Sequence, residues 1–287
     1  SRTNKKKPIT AWKAWRSAAG ASAASSNTGS VAGADKAADA LLKQSGVIRE
    51  FSLQDLFNTA KVFSHCPIPN GNRVAIVTNS GGPGIMATDA VCEHGMEIAH
   101  LSDQTKEALR SFLPAAASVK NPVDMIASAP LEHYKKTLET VLADDGVDMV
   151  VVIYLPFLGL KDIDVAKAVM EIRAAHPDKP IVGVFMTKNE FFAHLSETEV
   201  NVPFFMFAEQ AVEGLARLNQ QRLWRERTDT PAPRYSVDTE TVEAVFKQAA
   251  ADNRVQLTTR ASLQVLAASG VRLGSDCEAK ASPQPVP

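Results

Sequence analysis

Between Val74 and Gly84 the chain reads Val-Ala-Ile-Val-Thr-Asn-Ser-Gly-Gly-Pro-Gly, an apolar run broken by a turn of small residues. A strand ending here and a helix starting just after would leave the glycine N–H groups facing outward at a helix N-terminus. The partial positive charge at such an end favours an anion. Phosphate or a carboxylate is the expected guest, with the Ser80 hydroxyl as a further donor. Asn79, Ser80, Gly81, Gly82 and Gly84 are therefore the candidate phosphate-binding residues. The same pattern also describes a tight turn that needs glycine for room and binds nothing. Glycines at 81, 82 and 84 do not have the spacing of the dinucleotide fingerprint, and the Lys-Ser/Thr of a nucleotide-binding P-loop is absent.

Two further loops carry polar groups where a ligand could meet them. Ser25-Ser26-Asn27-Thr28-Gly29 lies inside a stretch from Ser17 to Gly33 dense in Ala, Ser and Gly, and it precedes a helix. Its low bulk suits close approach of backbone to a ligand. Asn121-Pro122-Val123-Asp124 follows a helix and puts a carboxylate at the expected sheet edge. On physics alone each is more often a capping turn than a site. The histidines at 65, 94, 100, 133, 176 and 194 have no metal-ligand spacing, and His94 and His176 fall near helix C-termini, where imidazole is a favourable cap. No Ser-His-Asp or Cys-His grouping emerges, and no metal site is expected.

The elements that must position these loops follow from periodicity. Residues 8–15 alternate apolar and polar side chains as a short strand does, and 35–45 has helical spacing stopped by Gly46. Val47-Ile48 reads as a strand, and Ser52 with Asp55 caps a helix to about Phe63. Cys66 to Asn72, with two prolines and an Asn-Gly, reads as a linker. Strands are then predicted at 73–78, 97–100, 148–155, 180–186 and 203–206. Helices are predicted at 85–95, from Ser102 to before Pro114, and at 131–143, 163–175, 189–196 and 208–224. The run from Asp148 to Leu155 is apolar almost throughout, the mark of a central parallel strand covered on both faces. This alternation predicts an α/β fold, a flavodoxin-like doubly wound parallel sheet over 70–225, preceded by part of a second similar domain in 1–66. Residues 228–236 read as a second linker, 239–253 and 258–269 as helices, and the tail from Ser275 as disordered.

Composition bounds the partners. The chain has 287 residues, 45 % hydrophobic and 22 % charged, with a net charge of -1, as expected for a soluble globular protein without a basic field. Neither nucleic acid nor membrane is an expected partner, and no apolar stretch is long enough to span a bilayer. Lys5-Lys6-Lys7 reads as a solvated chain start. The three cysteines, 66, 92 and 277, are widely spaced, which argues against a disulfide framework. The start lacks both an initiator methionine and the apolar core of a secretory signal, so an internal start in a longer, cytoplasmic protein is the expectation.

Taken in order, four blocks resemble the NDP-forming acyl-CoA synthetases, the superfamily of acetate–CoA and succinate–CoA ligases. Lys7-Pro8 through Ser25-Ser26-Asn27-Thr28-Gly29 to Gly33 resembles the family's phosphohistidine loop; Gln44 to Arg49 with Leu53 to Phe57 forms the second block. Val74 to Gly84 is similar to the Asn-Ala-Gly-Gly-Pro-Gly turn, with Ser80 for Ala, and Asn121 to Asp124 is the fourth. The resemblance implies that 1–66 is the C-terminal part of the phosphohistidine-loop domain and that 70–225 is the ligase-CoA domain. Residues 226–287 would be a linker and the start of an ATP-grasp region, Thr258 to Arg272 resembling its opening helix. It further implies a ligase joining a small carboxylic acid to CoA through an acyl phosphate, using ATP or ADP and Mg, with the missing CoA-binding and ATP-grasp domains as partners in the same chain or another subunit. A homo-oligomer is left open. The 287-residue chain alone is expected to make no CoA thioester. Asn27 stands at the position of the phosphorylated histidine, flanked by Ser26, Thr28 and Gly29 as phosphate-binding residues. An amide nitrogen has its lone pair delocalised into the carbonyl, so a covalent relay there would be broken. A damaged or bypassed relay and a silent acyl-CoA-sensing domain, as in certain protein acetyltransferases, both fit; an isolated interaction fragment is a third reading.

Overall fold

A computed structural model describes residues 6–14, 16–17, 19–20, 35–157, 159–196, 199–228 and 236–271. The Ser26–Gly29 loop, with Asn27, and the tail from Ser275 lie outside them. The chain divides into two compact units, Ser1–Arg227 and Thr228–Pro287.

In the first unit, β1 (Thr10–Trp12) and β2 (Ile48–Glu50) form a two-stranded parallel sheet, with α1 (Asp35–Ser45) before β2 and α2 (Leu53–His65) after it. The Ser52 Oγ accepts from Asp55 N at 3.0 Å, the expected cap of α2. Gly46, at φ 73°, ends α1 beneath the Trp224 ring, where any side chain would overlap the indole.

A larger parallel sheet follows: β3 (Arg73–Thr78), β4 (Glu97–Ile98), β5 (Val123–Asp124), β6 (Met149–Tyr154), β7 (Ile181–Phe185) and β8 (Phe204–Phe205). Its order is β4-β3-β6-β7-β8, with β5 also paired to β3. This is the flavodoxin-like order, in which chain direction across the sheet reverses between β3 and β6. The connecting helices are α3 (Gly81–Glu93), α4 (Asp103–Arg110), α5 (Leu131–Leu142), α6 (Asp162–Ala175), α7 (Asn189–Ser196) and α8 (Ala208–Glu226).

Alternation along the central strands sorts the core into two layers. Ala75, Val77, Val150 and Val152 face Tyr134, Leu138, Val165 and Val169 of α5 and α6. Val74, Ile76, Met149 and Val151 face Ala87 and Val91 of α3 and Val212, Leu215 and Leu218 of α8. Val62 of α2 joins this second layer, so the N-terminal segment shares a core with the large sheet. Glu50, fully buried, reinforces the join. Arg217 of α8 donates to it twice, Nε to Oε1 and Nη2 to Oε2 at 3.0 Å each, and the Thr59 hydroxyl donates to Oε1 at 2.7 Å.

Two features differ from the sequence reading. The first turn of α3 begins at Gly81, so the small-residue turn is itself helical; Pro83, which lacks an N–H, is tolerated in a first turn. Second, β5 is a two-residue strand inside what reads as a loop. In the second unit, α9 (Thr239–Ala251) and α10 (Thr259–Ala268) are capped by Asp238 and Thr258 and bury no residue completely. Among the described residues no helix is long and apolar enough to cross a membrane.

Candidate functional site

The candidate site lies where β3 ends, beside β6, at the point where the strand order reverses. Ligands of such sheets bind in the crevice outside the carboxyl ends of the strands at this switch point. Two of the sequence candidates hold that crevice together without lining it. Asn79, 3 % exposed, donates through Nδ2 to the Leu155 carbonyl at 2.8 Å and accepts from Leu155 N at 2.9 Å. Its amide is thus a strut between the ends of β3 and β6. Asn121 fills the gap between β4 and β5 along the edge of β3. Its Oδ1 accepts from Ile76 N at 2.9 Å, and Nδ2 donates to Val74 O at 2.8 Å and Ala99 O at 2.9 Å.

The turn amides divide in the same way. Ser80 N donates to Thr78 Oγ1 at 3.0 Å, and that hydroxyl donates in turn to Ser80 O at 2.8 Å. Gly84 N turns inward to Ser80 O at 3.4 Å. Gly81 and Gly82, both exposed, are the first two residues of α3, and among the described residues nothing accepts from their N–H groups. The Ser80 side chain makes no cap bond. The open donor set is therefore two adjacent amides and one hydroxyl at a helix N-terminus.

The structure brings the fourth block onto this turn. Gly84 is buried where a Cβ would meet Thr78 Cγ2 at 3.2 Å and Pro122 Cβ at 3.5 Å, so glycine permits the close seating of α3 on β3 and β5. Asp124 lies beside Gly81, its Oδ2 at 3.3 Å from the place of a Gly81 Cβ, while Oδ1 accepts from Ile126 N at 2.9 Å. Ile126 has φ 64°, a strained conformation for a β-branched residue, held by the Asp124 bond and by Met125 N donating to Thr78 O at 2.8 Å. Backbone strain of this kind concentrates at functional loops.

Away from this crevice, one acidic cluster among the described residues has ligand spacing. The cluster Glu50, Asp55 and Glu213 has carboxylate spacing that could hold an ion, but Arg217 already bonds both Glu50 and Glu213. Burial raises the Glu213 carboxyl above its usual range against the opposing pull of Arg217, and His94 contributes to its field. His94 closes the far end of α3, a helix of 13 residues and so about 20 Å long, so this cluster lies remote from Gly81.

Sequence reasoning missed one charged group near the carboxyl ends of the strands. Lys61 of α2 reaches the Phe204 carbonyl and lies 4.8 Å from the centre of the Phe205 ring. The available signal was its lack of an acid at helical spacing: Phe57, Asn58, Ser64 and His65 occupy those places.

The sheet order and the amide pair at its switch point define a flavodoxin-like domain with an anion-sized donor set. A family profile for the Succinyl-CoA ligase like flavodoxin domain matches residues 1–63, and one for the Ligase-CoA domain matches residues 74–214. The alpha subunit of the ADP-forming acetate–CoA ligase II of Pyrococcus furiosus is 42 % identical over 188 residues, 64 % of this chain and 41 % of that one. The ADP-forming 4-hydroxybutyrate–CoA ligase of Nitrosopumilus maritimus is 30 % identical over 280 residues, 96 % of this chain and 39 % of that protein. The solved dinucleotide-forming acetyl-coenzyme A synthetase 1 of Ca. Korarchaeum cryptofilum, in complex with phosphate and ADP, matches with a TM-score of 0.72 and 30 % identity, over 78 % of this chain and 49 % of that one. The chain belongs to the NDP-forming acyl-CoA synthetase family and spans less than half the length of these relatives.

Proposed function

We propose that this chain is the phosphoryl-handling part of an acid–CoA ligase, with residues 1–66 as the end of the phosphohistidine-loop domain, 70–225 as the ligase-CoA domain and 226–287 as a linker and the start of an ATP-grasp region. The observation that carries the reading is the pair of open amides, Gly81 and Gly82, at the switch point of the sheet. In the full enzyme ATP would supply the phosphoryl group, Mg would screen its charge and CoA would supply the thiol. A carboxylate oxygen would take the γ-phosphoryl group as its bond to the β-phosphate oxygen breaks and ADP leaves; the thiol, giving up its proton, would then attack the acyl carbon, the acyl–oxygen bond breaking and inorganic phosphate leaving. Gly81 N–H, Gly82 N–H and the Ser80 hydroxyl hold the phosphoryl oxygens through this exchange, and the α3 dipole favours their charge. The small carboxylic acid is the substrate class, and the CoA-binding and ATP-grasp domains are the partners.

The described residues fit a phosphoryl group, because the donors are preformed and the Asn79 strut fixes the crevice width. Substitution decides the point. A methyl at position 82 meets nothing within 4 Å, so Gly82→Ala keeps the N–H and the fold. Gly82→Pro removes the N–H at a first-turn position that tolerates proline. Phosphate or acetyl phosphate titrated by 31P NMR should bind wild type and Gly82→Ala alike and Gly82→Pro about 10-fold more weakly. Equal affinity in all three sinks the reading.

Asn27 favours a second reading, a catalytically silent acyl-CoA-sensing module, because an amide cannot carry the phosphoryl group. Asn27→His in the full-length protein separates the two. Labelling of the new histidine from ATP, or from acyl-CoA and phosphate, marks a ligase with a broken relay; no labelling marks the sensor.

A further inference from the structure

A second cavity, of about 470 Å3, opens at the carboxyl end of β8, between α2 and the start of α7. Its walls are uneven in chemistry. Phe192 and Phe207, the latter 46 % exposed, give it apolar sides; Asn58, Asn189 and Gln210 give it carboxamides; and Lys61 is the single charged residue lining it. We propose that this cavity binds an organic carboxylate with a short apolar or aromatic body, the carboxylate seated on the Lys61 ammonium.

The ammonium is held but uncompensated. It gives one N–H to the Phe204 carbonyl and lies over the Phe205 ring, which leaves two N–H donors for a ligand. Among the described residues it forms no ion pair. His65 follows one turn later on α2, with Arg173 donating to the His65 carbonyl at 3.3 Å. Burial lowers the His65 imidazole below its ordinary range, and Lys61 and Arg173 lower it further. Burial also lowers the Lys61 ammonium, with no carboxylate offsetting the effect. Lys61 is exposed overall while its ammonium is held against Phe204 and Phe205, so it is open to a ligand, and a carboxylate supplies the opposite charge.

The remaining walls select the body of the ligand. Gln54 Nε2 donates to Asn58 Oδ1 at 3.0 Å, which leaves the Asn58 amide group as a second donor to the carboxylate. Phe192 and Phe207 offer faces to a flat or aliphatic chain, and the volume lies within the range of about 300–1,000 Å3 found for small-molecule sites. One cation matches a monoanion. A phosphate dianion finds a better donor set in the open amides at Gly81 and Gly82. Carboxylate binding here does not depend on the ligase reading; that the bound acid is the one joined to CoA does.

Isothermal titration of the protein with 3-phenylpropionate, acetate and inorganic phosphate tests the proposal. Phenylpropionate should bind tighter than acetate. Lys61→Met should weaken it about 10-fold, and Lys61→Arg should largely retain it. Phe207→Ala should weaken phenylpropionate but not acetate, and thermal melts of each variant confirm the fold. Should Lys61→Met fail to fold, Asn58→Leu and Phe207→Ala carry the test. Binding unaffected by these changes, no binding of phenylpropionate at millimolar concentration, or displacement by phosphate at equal concentration overturns the assignment. Phosphate affinity of the Gly82→Pro variant is read separately, so failure at Lys61 leaves the reading of the glycine turn standing, and the reverse.

Discussion

Asp124 is the residue whose charge works against the proposed guest. Its carboxylate sits beside Gly81 at the mouth of α3, where it stabilises the helix end and repels an incoming phosphoryl group. Asp124→Asn keeps an acceptor for Ile126 N and removes the repulsion. Phosphate affinity measured by 31P NMR should rise about 2- to 5-fold, and the gain should shrink in high salt. At this scale the sequence was an incomplete guide. Asn79 and Asn121 were readable as polar groups in ligand-side loops, but a carboxamide there looks the same whether it binds backbone or substrate. Their partners, Leu155 and Val74 with Ala99, are 76, 47 and 22 positions away. Lys61 escaped notice for a similar reason, since the carbonyl that fixes it lies 143 positions on.

At the scale of elements, β3 depends on an interrupted edge. β4 pairs with its first two residues and β5 with its last two, and the Asn121 side chain substitutes for backbone between them. Asn121→Ala leaves the Ile76 N–H without its acceptor and removes a donor from Val74 O and Ala99 O. Stability should fall by about 2–4 kcal/mol, read as a lower urea midpoint at unchanged slope. Most elements were legible because their cause is local. The apolar runs at 73–78, 149–154 and 181–185 allow no other reading in a chain that alternates with amphipathic helices. β5 was not legible: two residues carry no period, and only the partner strand makes them a strand. The start of α3 was misplaced because glycine and proline signal a turn, whereas here the sheet holds them in a first helical turn.

At the scale of the whole molecule, Asp144 and Asp148 of the first unit contribute to the response to acid. Burial alone would raise Asp144, but hydrogen bonds from Thr105 Oγ1, Ser102 N and Gly146 N bring it below the usual carboxylate range. Asp148 is likewise raised by burial and brought lower by Arg73, which reaches it through Nε at 2.8 Å and Nη2 at 2.9 Å. Both folded values lie below the unfolded value of about 3.9. Their stabilisation is therefore complete above that pH and is lost as pH falls through the folded values. Denaturant unfolding from pH 7 to pH 2 should show a steep acid limb, and Asp144→Asn should be less stable at pH 7 while losing less on acidification. Overlapping curves would refute this account.

The buried bond between Glu50 and Arg217 has a consequence for how this fold can be rearranged. Cys66 to Asn72 looks like a natural seam, and a gene fusion or domain graft drawn there would carry β3 to α8 away by themselves. Such a graft would leave Arg217 with Glu213 but without its buried partner Glu50, and would remove Val62 from beside Gly214 on α8. The smallest portable piece therefore begins upstream of β2, and shuffling of this fold among longer proteins has to move α2 together with the sheet it helps to cover.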